Sequence, residues 1–276
     1  MTSAVESLPP LRDVIAQHEL AARKSLGQNF LLDLNLTRKI ARAAMPWGDG
    51  VPVIEIGPGP GGLTRALLLE GAPRVIAVER DDRCIAALQD VIGAADGRLA
   101  VHPGDALETD FAALSPPPWQ VVANLPYNIA TPLLLGWLAQ ARNFTRITVL
   151  VQKEVAERLA AKPGGKTYGR LAVAAQWRAD VRLLFDIGPQ AFVPAPKVTS
   201  TIVELTPRVK PLAEAEWSKL ERVTAAAFNQ RRKMLRAALK SLWPDADAKL
   251  QQAGIDPTRR AETLSIEEFC ALARLM

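Results

Sequence analysis

Cysteine and histidine are both scarce in this 276-residue chain, with two of each. Cys84 and Cys270 stand far apart and in no CxxC pair. Neither a disulfide framework nor a structural zinc site is therefore indicated, and a reducing cytoplasm is the expected compartment. His18 and His102 alone would have to serve any serine-type triad or multi-histidine metal centre, so both classes recede and no metal is expected. No apolar run approaches the roughly 18 residues of a membrane span. The opening residues 1–10 lack a basic segment followed by an apolar core, so no export or anchoring signal is expected. Repeats are absent, and the one biased tract, Pro116-Pro117-Pro118, reads as a loop because prolines cannot donate to a ladder.

What remains is an ordinary globular composition, 49% hydrophobic and 23% charged. Thirty-four Lys and Arg against 29 Asp and Glu give a net charge of +5, which suits an acidic partner such as nucleic acid. Short β-branched runs at 51–56, 74–78, 99–102, 120–123 and 147–151 alternate with helical patterns at 62–70, 83–92 and 132–141. Such alternation predicts βαβ units and a mostly parallel sheet covered on both faces, an α/β fold. Helices are expected at 153–161 and 171–178, and two more strands at 181–187 and 199–205. Beyond Pro211 the strand signal vanishes in favour of helical periodicity at 214–229, 231–242, 246–253 and 265–275. Two domains follow, 1–208 and a small all-helical 209–276. Ser265 with Glu268 three residues on has the spacing of a capping box at the last helix.

The segment Val53-Ile54-Glu55-Ile56-Gly57-Pro58-Gly59-Pro60-Gly61-Gly62 joins the first of these strands to a helix, where glycines let backbone N–H groups approach a ligand. It parses as GxGxxG, the dinucleotide fingerprint, or as ExGxGxG, the pattern of S-adenosylmethionine-dependent methyltransferases. Spacing alone leaves an oxidoreductase and a methyltransferase both open. Glu79, 22 residues after Gly57, ends the next strand where a carboxylate would accept from ribose hydroxyls of either cofactor. Asp105 ends the third, placed to receive an adenine amino group, although an Asp beside a turn glycine is usually turn chemistry.

After the fourth strand stands Asn124-Leu125-Pro126-Tyr127. It resembles the [N/D/S]-[P/L]-P-[Y/F] signature of enzymes that methylate exocyclic amino groups. An adenine N6 lone pair is delocalised into the ring, so a site must hold the amino hydrogens in hydrogen bonds that favour a more tetrahedral nitrogen. The Asn124 side-chain oxygen and the Leu125 carbonyl are the candidate acceptors, with Tyr127 stacking on an extruded base. An amide is a poor base, so its part is orientation and electrostatic stabilisation.

Further matches extend this resemblance over nearly the whole chain: Lys24-Ser25-Leu26-Gly27-Gln28-Asn29-Phe30-Leu31, Val151-Gln152-Lys153-Glu154-Val155-Ala156-Glu157-Arg158-Leu159, Tyr168-Gly169-Arg170-Leu171, Phe192-Val193-Pro194-Ala195-Pro196-Lys197-Val198-Thr199-Ser200 and Arg231-Arg232-Lys233-Met234-Leu235-Arg236. The chain resembles the ribosomal RNA adenine N6,N6-dimethyltransferase family, a Rossmann-like fold with a helical C-terminal domain. That resemblance implies S-adenosylmethionine contacts at Asn29, Leu31, Gly57, Glu79, Asp105 and Asn124. For the target adenine it implies Asn124, Leu125 and Tyr127, with Phe192 as a second stacking ring. Without it Phe192 would read as a core aromatic. The C-terminal segments 229–240 and 256–269 are similar to those of bacterial small-subunit enzymes. They imply dimethylation of two adjacent adenosines near the 3′ end of 16S rRNA in an assembling small ribosomal subunit, by a monomer. Arg231, Arg232, Lys233, Arg236 and Lys240, with no acidic residue among them, are read as one basic helix of phosphate contacts. An RNA-binding assembly factor that keeps the cofactor site without catalysis is the competing reading from another class.

Overall fold

The computed structural model describes residues 3–23 and 26–276, so Lys24 and Ser25 of the N-terminal motif lie outside the described residues. Helix α1 (Leu11–Gln17) precedes a two-residue strand β1 (Phe30–Leu31) and helix α2 (Leu34–Ala43), capped by the Asp33 carboxylate on Asn35 N–H. Then the predicted alternation sets in: β2 (Val53–Ile56), α3 (Gly62–Leu69), β3 (Val75–Glu79), α4 (Asp82–Ala87), α5 (Gln89–Ala94) and β4 (Leu99–Pro103). It continues through α6 (Phe111–Leu114), β5 (Trp119–Asn124), α7 (Ala130–Ala139), β6 (Phe144–Gln152), α8 (Lys153–Leu159) and α9 (Arg170–Arg178) to β7 (Ala179–Ile187). Strand β8 (Phe192–Val193) pairs antiparallel with β1, and β9 (Ser200–Pro207) closes the sheet.

The large sheet has the order β4-β3-β2-β5-β6-β9-β7. From β4 to β6 every pairing is parallel, and β9 lies antiparallel to β6. Every residue of β2 and β3 is buried, which is why they read as continuous apolar runs rather than as alternation. The strand order reverses between β2 and β5, so the crevice beyond their carboxyl ends is the topological switch point where open α/β sheets take ligands.

All seven strands expected for the sheet are present. The expected helix at 83–92 is two, broken at Leu88. Helix α1, helix α2 and the β1–β8 ribbon were not anticipated, because two-residue strands and a seven-residue helix carry too little periodicity to register.

The described residues divide into two compact units, 1–156 with 182–206, and 157–181 with 207–276. The chain therefore passes between units three times, where one crossing near 208 was expected. The reason is apolar burial. Tyr168, Ala172, Val173 and Trp177 are buried in one cluster with Leu220 and Val223 of α10 (Trp217–Asn229) and with Phe269 and Leu272 of α13 (Ile266–Arg274). The Trp177 ring stacks on Trp217 at 5.9 Å between centroids, and its Nε1–H donates to the Ala213 carbonyl at 2.7 Å.

The anticipated capping box forms. Ser265 Oγ accepts from Glu268 N–H, and the Glu268 carboxylate accepts from Ser265 N–H. The anticipated helix at 231–242 does not. Helix α10 ends at Asn229, Met234 makes a β-bridge with Arg260, and only the single turn α11 (Leu235–Ala238) and a 3₁₀ turn at Leu239–Ser241 follow, before α12 (Ala246–Gln252). Arg231 sits in the intervening turn, its Nε 2.7 Å from a Glu262 carboxylate oxygen and its guanidinium also donating to the Gly165 carbonyl. Arg232, Lys233, Arg236 and Lys240 are exposed. The basic residues are thus a turn plus two short helical pieces rather than one helix.

If residues 157–181 complete the helical unit, Trp177→Ala should destabilise it by roughly 3–5 kcal/mol, the usual cost of emptying a buried aromatic site. A fragment of 209–276 should then show no cooperative thermal transition by circular dichroism, whereas 157–276 retains the residues of the cluster.

Candidate active site at the carboxyl ends of the parallel strands

Three glycines in the loop after β2 have left-handed backbone: Gly57, Gly59 and Gly61, at φ of 63°, 56° and 90°. A Cβ at Gly57 would meet nothing nearer than Pro126 at 3.9 Å, so this stretch of backbone lies open to the pocket. Gly62, which opens α3, is needed for a different reason: a Cβ there would come within 2.6 Å of the Leu31 carbonyl. The β1 backbone rests directly on the helix start.

Glu79 holds this loop. Its Oε2 accepts from Gly59 N–H at 3.0 Å, and its Oε1 accepts from Arg80 N–H and Asp81 N–H, both at 2.8 Å. Burial raises its pKa, and the three backbone donors oppose that rise. Asp81 caps α4 and is held to about 2 by the Arg83 guanidinium. Through its Oδ2 it accepts from Gln28 Nε2 at 3.0 Å, which fastens the segment before Asn29 to the end of β3.

Asp105 shows the turn chemistry, together with an ion pair that was not anticipated. One oxygen accepts from Leu107 N–H in a turn, and the other lies 2.9 Å from the Arg80 guanidinium.

Asn124 is the last residue of β5. Its Nδ2 donates to the Asn29 carbonyl at 3.0 Å, which fixes the amide so that Oδ1 keeps its acceptor capacity; no donor to Oδ1 occurs among the described residues. Leu125 is buried, with its N–H given to the Leu150 carbonyl. Pro126 and Tyr127 follow. The Tyr127 hydroxyl lies 2.6 Å from Ser200 Oγ, which pins the ring by its far end.

These residues converge. Asn29, Leu31, Gly57, Glu79, Asp105, Asn124, Leu125 and Tyr127 all line one pocket. Its empty space is about 1070 Å³ counted to its open mouth. Phe192 is the exception. It pairs with Leu31 across the β1–β8 ribbon but is only 3% exposed, belongs to the core cluster with Ile187 and Ile202, and is not on the pocket wall. In this structure its ring fills the core, the reading that its sequence context alone would favour.

Sequence reasoning did not single out Arg80 or Asp81, and it met Gln28 and Ser200 only as members of longer motifs, with no role of their own. Asp81 had a signal in hand, as an Asp directly ahead of a helical pattern is a cap candidate. The Ser200–Tyr127 contact joins residues 73 apart, so no local spacing points to the pairing.

With this geometry established, comparison with known proteins decides the family. The model for "Ribosomal RNA adenine dimethylase" matches residues 19–276. The chain belongs to the ribosomal RNA adenine dimethylase family. As a member it is an rRNA adenine methyltransferase, and the oxidoreductase parse of the glycine loop is excluded. Among curated relatives, the ribosomal RNA small subunit methyltransferase A of Rhodospirillum rubrum is 61% identical over 269 residues, spanning 98% of this chain and 93% of that protein. The protein of the same name from Agrobacterium fabrum is 57% identical, spanning 99% and 100%. Among solved structures, a dimethyladenosine transferase from Plasmodium falciparum is 26% identical with a TM-score of 0.71, covering 87% of this chain and 94% of that one. The 23S rRNA methyltransferase ErmE is 28% identical with a TM-score of 0.67, covering 89% and 98%.

The chain has two tyrosines, and burial pushes Tyr168 far above the ordinary phenol range, so a titration followed by phenolate absorbance reports Tyr127 first. Burial also raises Tyr127, while its Ser200 partner favours the ionised form. Ser200→Ala should therefore move the first phenolate transition to higher pH. An unmoved transition would show that the two hydroxyls are not bonded in solution.

Proposed function

We propose that this protein transfers methyl groups from S-adenosylmethionine to the N6 atoms of two adjacent adenosines in the 3′-terminal hairpin loop of 16S rRNA, during biogenesis of the small ribosomal subunit. The observation that carries this reading is the Asn124 amide. One Nδ2 hydrogen given to the Asn29 carbonyl orients the amide, and Oδ1, which receives no donor among the described residues, is available to an incoming donor such as an amino N–H. The choice of small-subunit RNA draws support from the relatives at 57–61% identity, each named for that subunit.

The pocket suits the donor. Gly57 offers open backbone, Glu79 keeps an acceptor position beyond its three backbone bonds, and Glu79 and Asp105 against the one guanidinium of Arg80 leave the wall net negative, as a cationic ligand requires. Bound S-adenosylmethionine supplies an electrophilic methyl group on a sulfonium sulfur. Asn29, Leu31, Gly57, Glu79, Asp105 and Asn124 hold it. Asn124 Oδ1 and the Leu125 carbonyl accept the two hydrogens of the target amino group and draw its nitrogen out of the ring plane. Tyr127, steadied by Ser200, gives the extruded base a stacking face. None of these groups needs to act as a base, because the proton leaves N6 for solvent once the new C–N bond has formed. Catalysis is positioning and electrostatic stabilisation.

Residues 209–276 are proposed as the RNA-binding region together with 157–181, which share their core. Arg232, Lys233, Arg236 and Lys240 are the candidate phosphate contacts, and Arg231 has a structural part through Glu262. The protein is taken to act as a monomer in the cytoplasm.

The deciding experiment is transfer of labelled methyl groups to undermethylated small subunits, with large subunits in parallel. Dimethyladenosine should appear on small subunits alone, and Asn124→Ala should lower turnover by about 10²–10³-fold, the range for loss of one oriented polar group at a reacting centre. Binding of small subunits without transfer would make the protein an assembly factor instead, and label on large subunits would move its substrate there. In binding titrations, Arg232→Ala should reduce the slope of log affinity against log salt by roughly one. Arg231→Ala should chiefly lower thermal stability.

A further inference from the structure

One acid on the pocket wall has no part in the scheme above. Glu55, two residues ahead of Gly57, is 1% exposed, yet it lines the pocket. Its Oε2 has no hydrogen-bond partner of normal geometry; the Thr64 hydroxyl, which α3 turns towards it, is the one polar group that favours the anion, and burial outweighs it. A buried, ionised carboxylate with so little donor support is among the costlier arrangements a protein interior can hold, whereas the protonated acid is tolerated.

The surroundings make matters worse for the anion. From β3, Glu79 adds a second negative charge. From α3 the cation nearest in sequence is Arg65, but its guanidinium donates to the Pro9 carbonyl at 2.6 Å, and the charge bearing on it is Asp90. From β5 comes Asn124, which is neutral and already engaged with Asn29. The remaining cation on the wall, Arg80, is taken by Asp105. No protein cation among the described residues compensates Glu55.

We propose that Glu55 is a proton-linked counter-charge for the cofactor: it keeps its proton in the free protein and gives it up when a cationic ligand enters the pocket. The inference rests on the cofactor reading above. The O–H bond of the Glu55 carboxyl breaks, its proton passes to solvent and then to buffer, and the carboxylate left behind balances positive charge that the ligand brings. Burial holds the free carboxyl at about 8, so at neutral pH it is mostly protonated before binding. A cationic ligand therefore meets a site that becomes more negative on demand. A neutral thioether product offers less to hold that charge, so it should rebind the proton as it leaves.

The test is calorimetric titration of the full-length protein with S-adenosylmethionine at pH 7, in phosphate and in Tris, buffers whose protonation heats differ widely. Release of a proton makes binding more exothermic in Tris. The wild type should show this difference, and its affinity should rise with pH by up to about tenfold per unit, levelling off above the free-state titration of Glu55. Glu55→Gln should lose most of the buffer difference. Any remainder belongs to Glu79 or to the ligand's own amino group, and it would persist in the variant. Binding whose heat is the same in both buffers for the wild type would overturn the proposal and leave the cofactor reading standing. An undiminished difference in Glu55→Gln would overturn it too. Absence of any binding heat or competition by S-adenosylhomocysteine would overturn the cofactor reading and the proposal together. The wild-type comparison needs no variant, so it decides the matter even if Glu55→Gln fails to fold.

Discussion

Glu79 accepts three backbone N–H groups, and through them it joins the glycine loop after β2 to the turn after β3. Loops at a sheet's carboxyl edge carry polar backbone that the sheet cannot satisfy, so something must collect those donors if the edge is to be rigid. A buried carboxylate does so with charge-assisted bonds, roughly twice as strong as neutral ones. Its neighbour Asp81 extends the same chain of contacts to Gln28, and the Asn29 carbonyl carries it on to Asn124. The pocket is thus one hydrogen-bonded circuit running from β3 through the N-terminal segment to β5. Residues expected to contact a cofactor also hold one another in place, which is the preorganisation that a positioning mechanism demands.

That circuit also explains why polar residues tolerate such deep burial here. Glu79 is 6% exposed and Asp81 4% exposed, and in each both carboxylate oxygens are bonded to donors fixed on the backbone or on Arg83 and Gln28. Glu55 is the contrast. It is buried to the same depth on the same wall, with an oxygen left unpartnered. Two acids a strand apart therefore do different work, one as an anchor and the other as a group that waits for charge from outside.

Much of this was legible in the sequence wherever the signal was local and repeated. The parallel strands announced themselves because burial on both faces forces unbroken apolar runs, and the glycine loop because left-handed backbone at Gly57, Gly59 and Gly61 tolerates little else. Asn124 and Tyr127 stood out by their place after a strand. What did not show was what depends on distant partners. The Arg231–Lys240 segment has helical composition, but the bridge of Met234 to Arg260 and the pull of Glu262 on Arg231 cut it into pieces. Phe192 looks like a site aromatic by motif, while its pairing with Leu31 puts its ring in the core. Tertiary contacts override local preference at these positions.

The interleaving of the two units has a consequence for the order in which the protein is made. The sheet unit has all its strands once Pro207 has been synthesised, so it can condense while the rest of the chain is still being threaded out. The helical unit cannot. Tyr168 and Trp177 are translated early, but the surfaces that bury them, Leu220, Val223 and Phe269, arrive up to a hundred residues later. For that interval two large aromatic side chains wait without their partners. Fusions or truncations at the carboxyl end would therefore act first on a part of the protein encoded well upstream of the cut.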